Sequence, residues 1–183
     1  MTDTLTKIAF TVDRSLFDIT TLVRSQEPYG SFIVGTAHPL AARVASFDLL
    51  EDTCFKSYVS IGELISAEEK LLRIEKEGDV PLDVYCLRAI LGREKTCQML
   101  AHKWWELHGL HRPNLRSIDF PGTVVVRKND QTQRHIFSID YVQDTAAARY
   151  VKSIQPYETH DEGWGYGDTS LVFTKEFVKR HLL

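Results

Sequence analysis

The chain has 183 residues, of which 43% are hydrophobic, and a formal net charge of −3 at pH 7. This length fits a single domain over residues 1–183, and the apolar share is too high for a disordered chain. The slight negative charge argues against wholesale electrostatic binding to nucleic acid or to anionic membranes. The N-terminus lacks a secretory signal and no apolar run could span a bilayer, so we expect a soluble, cytoplasmic protein without membrane contacts.

The cysteines are an odd set of three, Cys54, Cys86 and Cys97, and no two of them form a Cys-x-x-Cys pair. Disulfide frameworks use even numbers of cysteines in secreted chains. The sequence therefore predicts free thiols in a reducing compartment.

The first third of the chain mixes strand and helix signals. Alternating apolar residues over 5–12 predict a half-buried strand, and the β-rich run 31–37 predicts another. Residues 14–24 weakly favour a helix, as do residues 40–51.

The middle of the chain, about residues 60–108, is predicted to be helical. Ser60 and Glu63 have the spacing of a capping box, in which each residue can satisfy a free backbone amide of the other. Gly78 would end this helix. One helical face collects the apolar residues Ile61, Leu64, Ile65, Leu71 and Leu72.

Two further helices are expected in this middle segment. One begins at Asp79, with Pro81 tolerated in its first turn. The next carries Trp104 and Trp105 on its apolar face and ends at Gly109. Neighbouring histidines lack a metal-binding spacing, so they are interpreted as lining the wet edge of the core.

The back third is predicted to be β-rich. Residues 123–128 and 133–142 are rich in Val, Ile, Phe and Tyr and predict an antiparallel hairpin, about residues 123–142. Residues 144–154 favour a helix, 171–173 a strand, and the C-terminal segment a short helix. Strands at both ends of a helical centre indicate an α+β domain.

Residues 157–170 form the most unusual segment, with four carboxylates, one imidazole and three aromatic rings among three glycines. Loops of this kind often carry binding residues. The aromatic residues Tyr157, Trp164 and Tyr166 are candidates for contacts with a partner. Alternatively, the polar residues could act in acid–base chemistry or hold a divalent ion, namely Glu158, His160, Asp161, Glu162 and Asp168.

Charge is unevenly distributed along the chain. Residues 48–83 contain ten acids and four bases, a net charge of −6, which could dock a basic partner or simply be exposed. Residues 101–135 contain six bases and three acids, a net charge of +3. Arg127, Lys128 and Arg134 lie on the predicted hairpin and could contact a partner or a phosphate backbone.

No motif for a nucleophile elbow, a phosphate-binding loop or a cofactor is present, and we predict no cofactor and no metal. We therefore expect a non-enzymatic binding or regulatory protein that contacts a macromolecular partner, by analogy an accessory or inhibitor protein of a phage or mobile element. Two alternatives stay open: a hydrolase or transferase using the 157–170 loop, and a nucleic-acid binder using the hairpin. The oligomeric state cannot be predicted.

Overall fold

A computed structural model of the chain combines helices and strands in an α+β fold, which confirms the predicted fold class. Cys54 and Cys86 are free thiols, as predicted. Cys97, Trp104 and Trp105 lie outside the described residues. The structure describes residues 8–17, 19–22, 32–96, 98–100, 116–144, 149–159, 162–164 and 169–183.

The predicted hairpin is confirmed and organises the main sheet. Strand β7 (Arg116–Arg127) pairs antiparallel with β8 (Asp130–Asp144). On one side β8 pairs with β9 (Arg149–Glu158); on the other, β7 pairs parallel with β11 (Thr169–Phe173). The order β4-β11-β7-β8-β9 is completed by β4 (Thr53–Lys56) at the edge.

Among the described residues, further strands of two to six residues complete the β structure. Strand β2 adds to the second half of β7 and β6 adds to β11, while β1 pairs with β3 and β5 pairs with β10. Their bounds are β1 Ala9–Thr11, β2 Phe32–Ala37, β3 Ser46–Asp48, β5 Ile65–Ser66, β6 Val80–Pro81 and β10 Glu162–Trp164.

Three described helices each begin at a residue whose side chain accepts a backbone amide hydrogen bond. Ser66 caps α1 (Ala67–Glu77), Asp83 caps α2 (Val84–Leu91) and Thr174 caps α3 (Lys175–His181). Gly78 ends α1 at φ 66°, as predicted, because a left-handed residue cannot continue the helix. Residues 94–96 and 98–100 are also helical.

The two faces of the main sheet differ in chemistry. Ile118, Phe120 and Phe137 point into the main core, which also contains residues of α2 and α3. Because side chains alternate along a strand, Asp119 and Ser138 point to the opposite face, which α1 covers. One face of the sheet therefore packs the main apolar core, while the other buries polar groups together with two smaller apolar clusters, which include Ile136 and Val172.

Gly122 allows three segments to cross at a wide bulge in β7. Its amide donates to the Leu82 carbonyl at 3.0 Å, and its carbonyl accepts from the His38 amide at 2.8 Å. A Cβ atom here would lie 2.6 Å from the Pro81 carbonyl oxygen. Glycine is thus required, because a larger residue would push these backbones apart.

The start of the first long helix was predicted wrongly. The Glu63 carboxylate does accept the Ser60 amide at 3.0 Å, but this closes a turn and not a helix. Gly62 follows at φ 84°, which breaks helical geometry before α1 begins at Ala67. Ile61 and Leu64 are consequently exposed instead of buried on a helical face.

Further predicted helices are strands or turns. Residues 41–43 form only a 3-10 turn, and 46–48 form β3, where Phe47 stacks on Phe10 at 5.3 Å. Within the segment predicted to be a helix over 144–154, β9 begins at Arg149 and pairs residue by residue with β8. In both places tertiary pairing overrides a weak local preference.

Candidate functional site

Strand β10 places part of the aromatic, acidic segment beside α1. Its backbone pairs with β5, which immediately precedes α1, with Trp164 opposite Ile65 and Glu162 opposite Ser66. The segment is therefore attached to the helical layer by main-chain hydrogen bonds and does not project from the sheet alone.

Thr159 fixes the start of this segment. It is buried, and its carbonyl accepts from the Glu68 amide at 2.9 Å while its hydroxyl donates to the Glu68 carboxylate at 3.1 Å. Its amide donates to the Arg134 carbonyl at 2.9 Å. At the other end, Thr169 and Ser170 are buried in β11. Both ends of the segment are thus anchored in the folded core.

The turn before β5 exposes large aliphatic side chains. Ile61 is 76% exposed and Leu64 is 66% exposed, and Leu72 on the outer face of α1 is 60% exposed. We call Ile61, Leu64 and Leu72 the aliphatic triplet. The Arg73–Glu63 pair joins the turn that carries Ile61 and Leu64 to the helix that carries Leu72. Since burying exposed aliphatic side chains is favourable, these three are candidates for contact with a partner.

Arg73 holds this turn against α1. Its guanidinium donates to both carboxylate oxygens of Glu63, at 2.7 and 2.9 Å, and to the Tyr58 carbonyl at 2.9 Å. The hydrogen bonds from Arg73 and from the Ser60 amide lower the pKa of Glu63 to about 2. Because a bidentate pair fixes geometry as well as charge, the aliphatic triplet is presented on a defined backbone.

The ion pair that docks α1 on the sheet is fully buried. Lys70, in the middle of α1, donates from its ammonium group to Asp119 on β7, and both side chains are 0% exposed. Breaking a buried pair leaves a desolvated charge, so this contact fixes where α1 sits.

Asp119 lies in a polar row that crosses the sheet. Ser170 on β11 and Ser138 on β8 are its register partners, so all three side chains point towards α1. The Asp119 Oδ1, Ser138 Oγ and Ser170 Oγ atoms are buried without hydrogen-bond partners among the described residues. Each such group costs about 1–3 kcal/mol of stability, so this row does not exist to maximise stability.

A second polar network ties the end of α1 to β4 and α3. The Lys56 ammonium group donates to Glu77 and Asp79, and the Tyr58 hydroxyl donates to Asp79 at 2.7 Å. Burial raises the pKa of Asp79, but the hydrogen bonds from Lys56 and Tyr58, with the nearby charge of Lys175, outweigh this and lower its pKa overall. These residues are committed to holding elements together.

The acidic segment 48–83 is largely neutralised inside the molecule. Seven of its ten acids lie within ion-pair distance of a base, in several cases one from a distant part of the chain. Among the described residues, the three acids without an ion pair are Asp48, Glu51 and Glu75. Most acids of this segment therefore take part in intramolecular ion pairs and do not form a free acidic face.

The three basic residues of the hairpin differ in exposure and in pairing. Lys128 is exposed at the turn, and Arg127 at the end of β7 is half-buried. Arg134 reaches Glu68 of α1 at 3.4 Å, so one predicted basic contact is paired with the acidic segment of the same chain. Sequence reasoning missed this pairing because the residues are 66 positions apart.

The remaining predicted site residues are only partly described. Tyr157 and Glu158 lie on β9, opposite Ile136 and His135. His160, Asp161, Tyr166 and Asp168 lie outside the described residues. Within the described part of the chain, no group of His, Cys, Asp and Glu residues is arranged to hold a metal ion.

The chain was compared with protein-family models, with curated proteins and with solved structures, and none of the three comparisons gave a match. In the parts of the chain that the structure describes, no helix has the length and apolarity needed to cross a membrane.

We predict that Lys70→Met lowers the free energy of unfolding by about 3–5 kcal/mol, because Asp119 is left as a buried, unpaired charge. The double variant Lys70→Met/Asp119→Leu should regain most of this loss, since neither charge then remains. Urea denaturation measures the free energy of unfolding of both variants. Lys76→Met, in the last turn of the same helix, is the matched control and should change stability by less than about 0.5 kcal/mol. A double variant as unstable as Lys70→Met would contradict the buried-charge account.

We predict that a carbon-13 NMR titration gives Glu63 a pKa of about 2, and that Arg73→Gln raises it towards the ordinary value of 4.5. Because the folded-state pKa is depressed, the stabilisation from this pair is complete above about pH 4.5 and is lost as the pH falls through about 2. Lys76→Gln removes a charge from the same helix without touching Glu63 and should leave its pKa unchanged. An unshifted Glu63 pKa in Arg73→Gln would show that the pair does not hold the turn.

Proposed function

We propose that this chain is a non-enzymatic binding protein of a regulatory kind, which contacts a macromolecular partner, namely another protein, through the aliphatic triplet and the neighbouring strand β10. The observation that carries this proposal is the exposure of Ile61, Leu64 and Leu72, at 76%, 66% and 60%, on one rigidly held turn and helix.

Rigidity supports a binding role for this surface. The turn is fixed by the Arg73–Glu63 pair, and α1 is fixed by the buried Lys70–Asp119 pair. A surface that is already ordered loses little conformational entropy on binding, so more of the contact energy appears as affinity. Exposed aliphatic side chains on such a surface give the partner a dry centre for the interface.

The aromatic segment extends this surface in the proposal. Trp164 lies opposite Ile65 in the β5–β10 pair, and Ile65 directly follows the exposed Leu64 in the chain. Tryptophan and tyrosine are common hot-spot residues in interfaces. Trp164, Tyr157 and Tyr166, with the hairpin residues Arg127, Lys128 and Arg134, are therefore kept as proposed contact residues.

A protein partner is favoured over nucleic acid. The Arg134 guanidinium already pairs with Glu68, and the carboxylates Glu63 and Glu69 stand beside the aliphatic triplet. Carboxylates at an interface repel a phosphate backbone, whereas an apolar centre with a charged rim suits a protein surface.

To test the proposal, the tagged full-length chain and its Ile61→Ser/Leu64→Ser variant would be used to capture partners from lysate of the native host, with mass spectrometry and a nucleic-acid stain on the eluates. We expect one protein to be captured in stoichiometric amount by the wild type. For this partner, the double serine variant, and separately Trp164→Ala, should each weaken the measured affinity by more than about 1 kcal/mol.

The matched control is Leu16→Ser/Leu183→Ser, which removes two aliphatic side chains that are 96% and 86% exposed elsewhere in the chain. It should bind the partner as the wild type does. Equal binding by the Ile61→Ser/Leu64→Ser variant, with its fold intact, would rule out the aliphatic triplet. Capture of nucleic acid alone, with affinity falling steeply as salt rises, would instead favour the hairpin alternative.

A further inference from the structure

A cleft of about 410 Å³ lies between α3 and the β1–β3 pair. The turn after β3 forms one wall, and the Thr174 amide holds it to α3 by donating to the Asp52 carbonyl at 2.8 Å. The cleft is lined by both charged and apolar residues, among them Arg43, Phe47, Asp48, Asp52, Arg180 and Leu182. Its volume suits a small organic molecule.

Asp48 lines this cleft and has an unsatisfied acceptor. Its Oδ1 accepts the amides of Leu50 and Glu51 at 2.8 and 3.0 Å, which fixes the carboxylate. The side chain is nearly buried, and its Oδ2 has no hydrogen-bond partner among the described residues. A buried carboxylate oxygen of this kind is best satisfied by a charged N–H donor, because such hydrogen bonds are the stronger class.

Arg43 brings the opposite charge to the same cleft. It is exposed and forms no ion pair with any described residue. Arg180, in contrast, lies 3.8 Å from Asp52. The guanidinium of Arg43 is therefore available for an anion, and its planar donors match a carboxylate.

Apolar residues that belong to the main core also line the cleft. Val44, Phe47 and Leu182 line the cleft, and the Phe177 ring stacks on Phe173 at 4.8 Å beneath it. A ligand with one cationic and one anionic group and an aliphatic or aromatic side chain would satisfy all three kinds of lining.

We infer that this cleft binds a small zwitterion of the α-amino-acid class, with its ammonium group on Asp48 and its carboxylate on Arg43. The inference is independent of the proposed partner surface, which uses none of these residues. A metal ion is a poorer occupant, since Asp48, Asp52 and His181 are not grouped as ligands in the described structure.

The test is isothermal titration calorimetry of the full chain with L-alanine, L-leucine and L-phenylalanine. At least one should bind with a dissociation constant below about 1 mM. For a leucine binder, the matched probes are 4-methylpentanoate, which lacks the amine, and 3-methylbutylamine, which lacks the carboxylate. Each should bind at least about tenfold more weakly, because each loses one charge-assisted hydrogen bond.

Asp48→Asn keeps the acceptor for the Leu50 and Glu51 amides but replaces the free oxygen with a donor. It should weaken amino-acid binding at least about tenfold, and Arg43→Gln should do the same. Because Arg43→Gln alters an exposed side chain, it still tests the inference if Asp48→Asn fails to fold. The charge-matched control Glu75→Gln should bind normally. Amide NMR signals of Leu50 and Glu51 should also shift when the amino acid is added.

Absence of binding by all three amino acids at about 10 mM would overturn the inference. So would equal binding of the amine or carboxylate probe, or wild-type affinity in both cleft variants.

Discussion

The contact on which the arrangement depends is the buried ion pair between Lys70 and Asp119. It joins the middle of α1 to the central strand of the sheet, at a face where serine hydroxyls accompany two small apolar clusters. An apolar helix face could slide on an apolar sheet, whereas a desolvated charge pair has one position. We assign to this pair the role of orienting α1 on the sheet, at the cost of desolvating both charges.

The rest of the outer layer takes its position from α1. The turn carrying Ile61 and Leu64 is tied to α1 by Arg73, and Thr159 ties the aromatic segment to Glu68 at its N-terminal end. Charge segregation along the sequence becomes charge pairing in space, as in the contact between Arg134 and Glu68. The unpaired surface beside α1 is therefore less acidic than the sequence suggests.

Sequence reasoning succeeded where local signals and tertiary structure agree. The hairpin was predicted from β-branched and aromatic residues around a turn, and the end of α1 from Gly78. It failed where a single residue or a distant strand decides the local structure. Gly62 ends the expected helix, and pairing with β8 holds residues 149–154, which have helical composition, in strand β9. The polar row and the cleft could not be predicted because their members are far apart in the chain, such as Asp119 and Ser170 in the row and Arg43 and Arg180 in the cleft.

The most direct test of this account is hydrogen–deuterium exchange of the wild type and of Lys70→Met under native conditions. If the buried pair holds the outer layer, peptides covering 65–77 and 159–164 should gain exchange together, and by more than peptides of the β7–β8 hairpin. Continued protection of α1, equal to that of the hairpin, would contradict the account, because the helix and the surface it carries would then be held by other contacts.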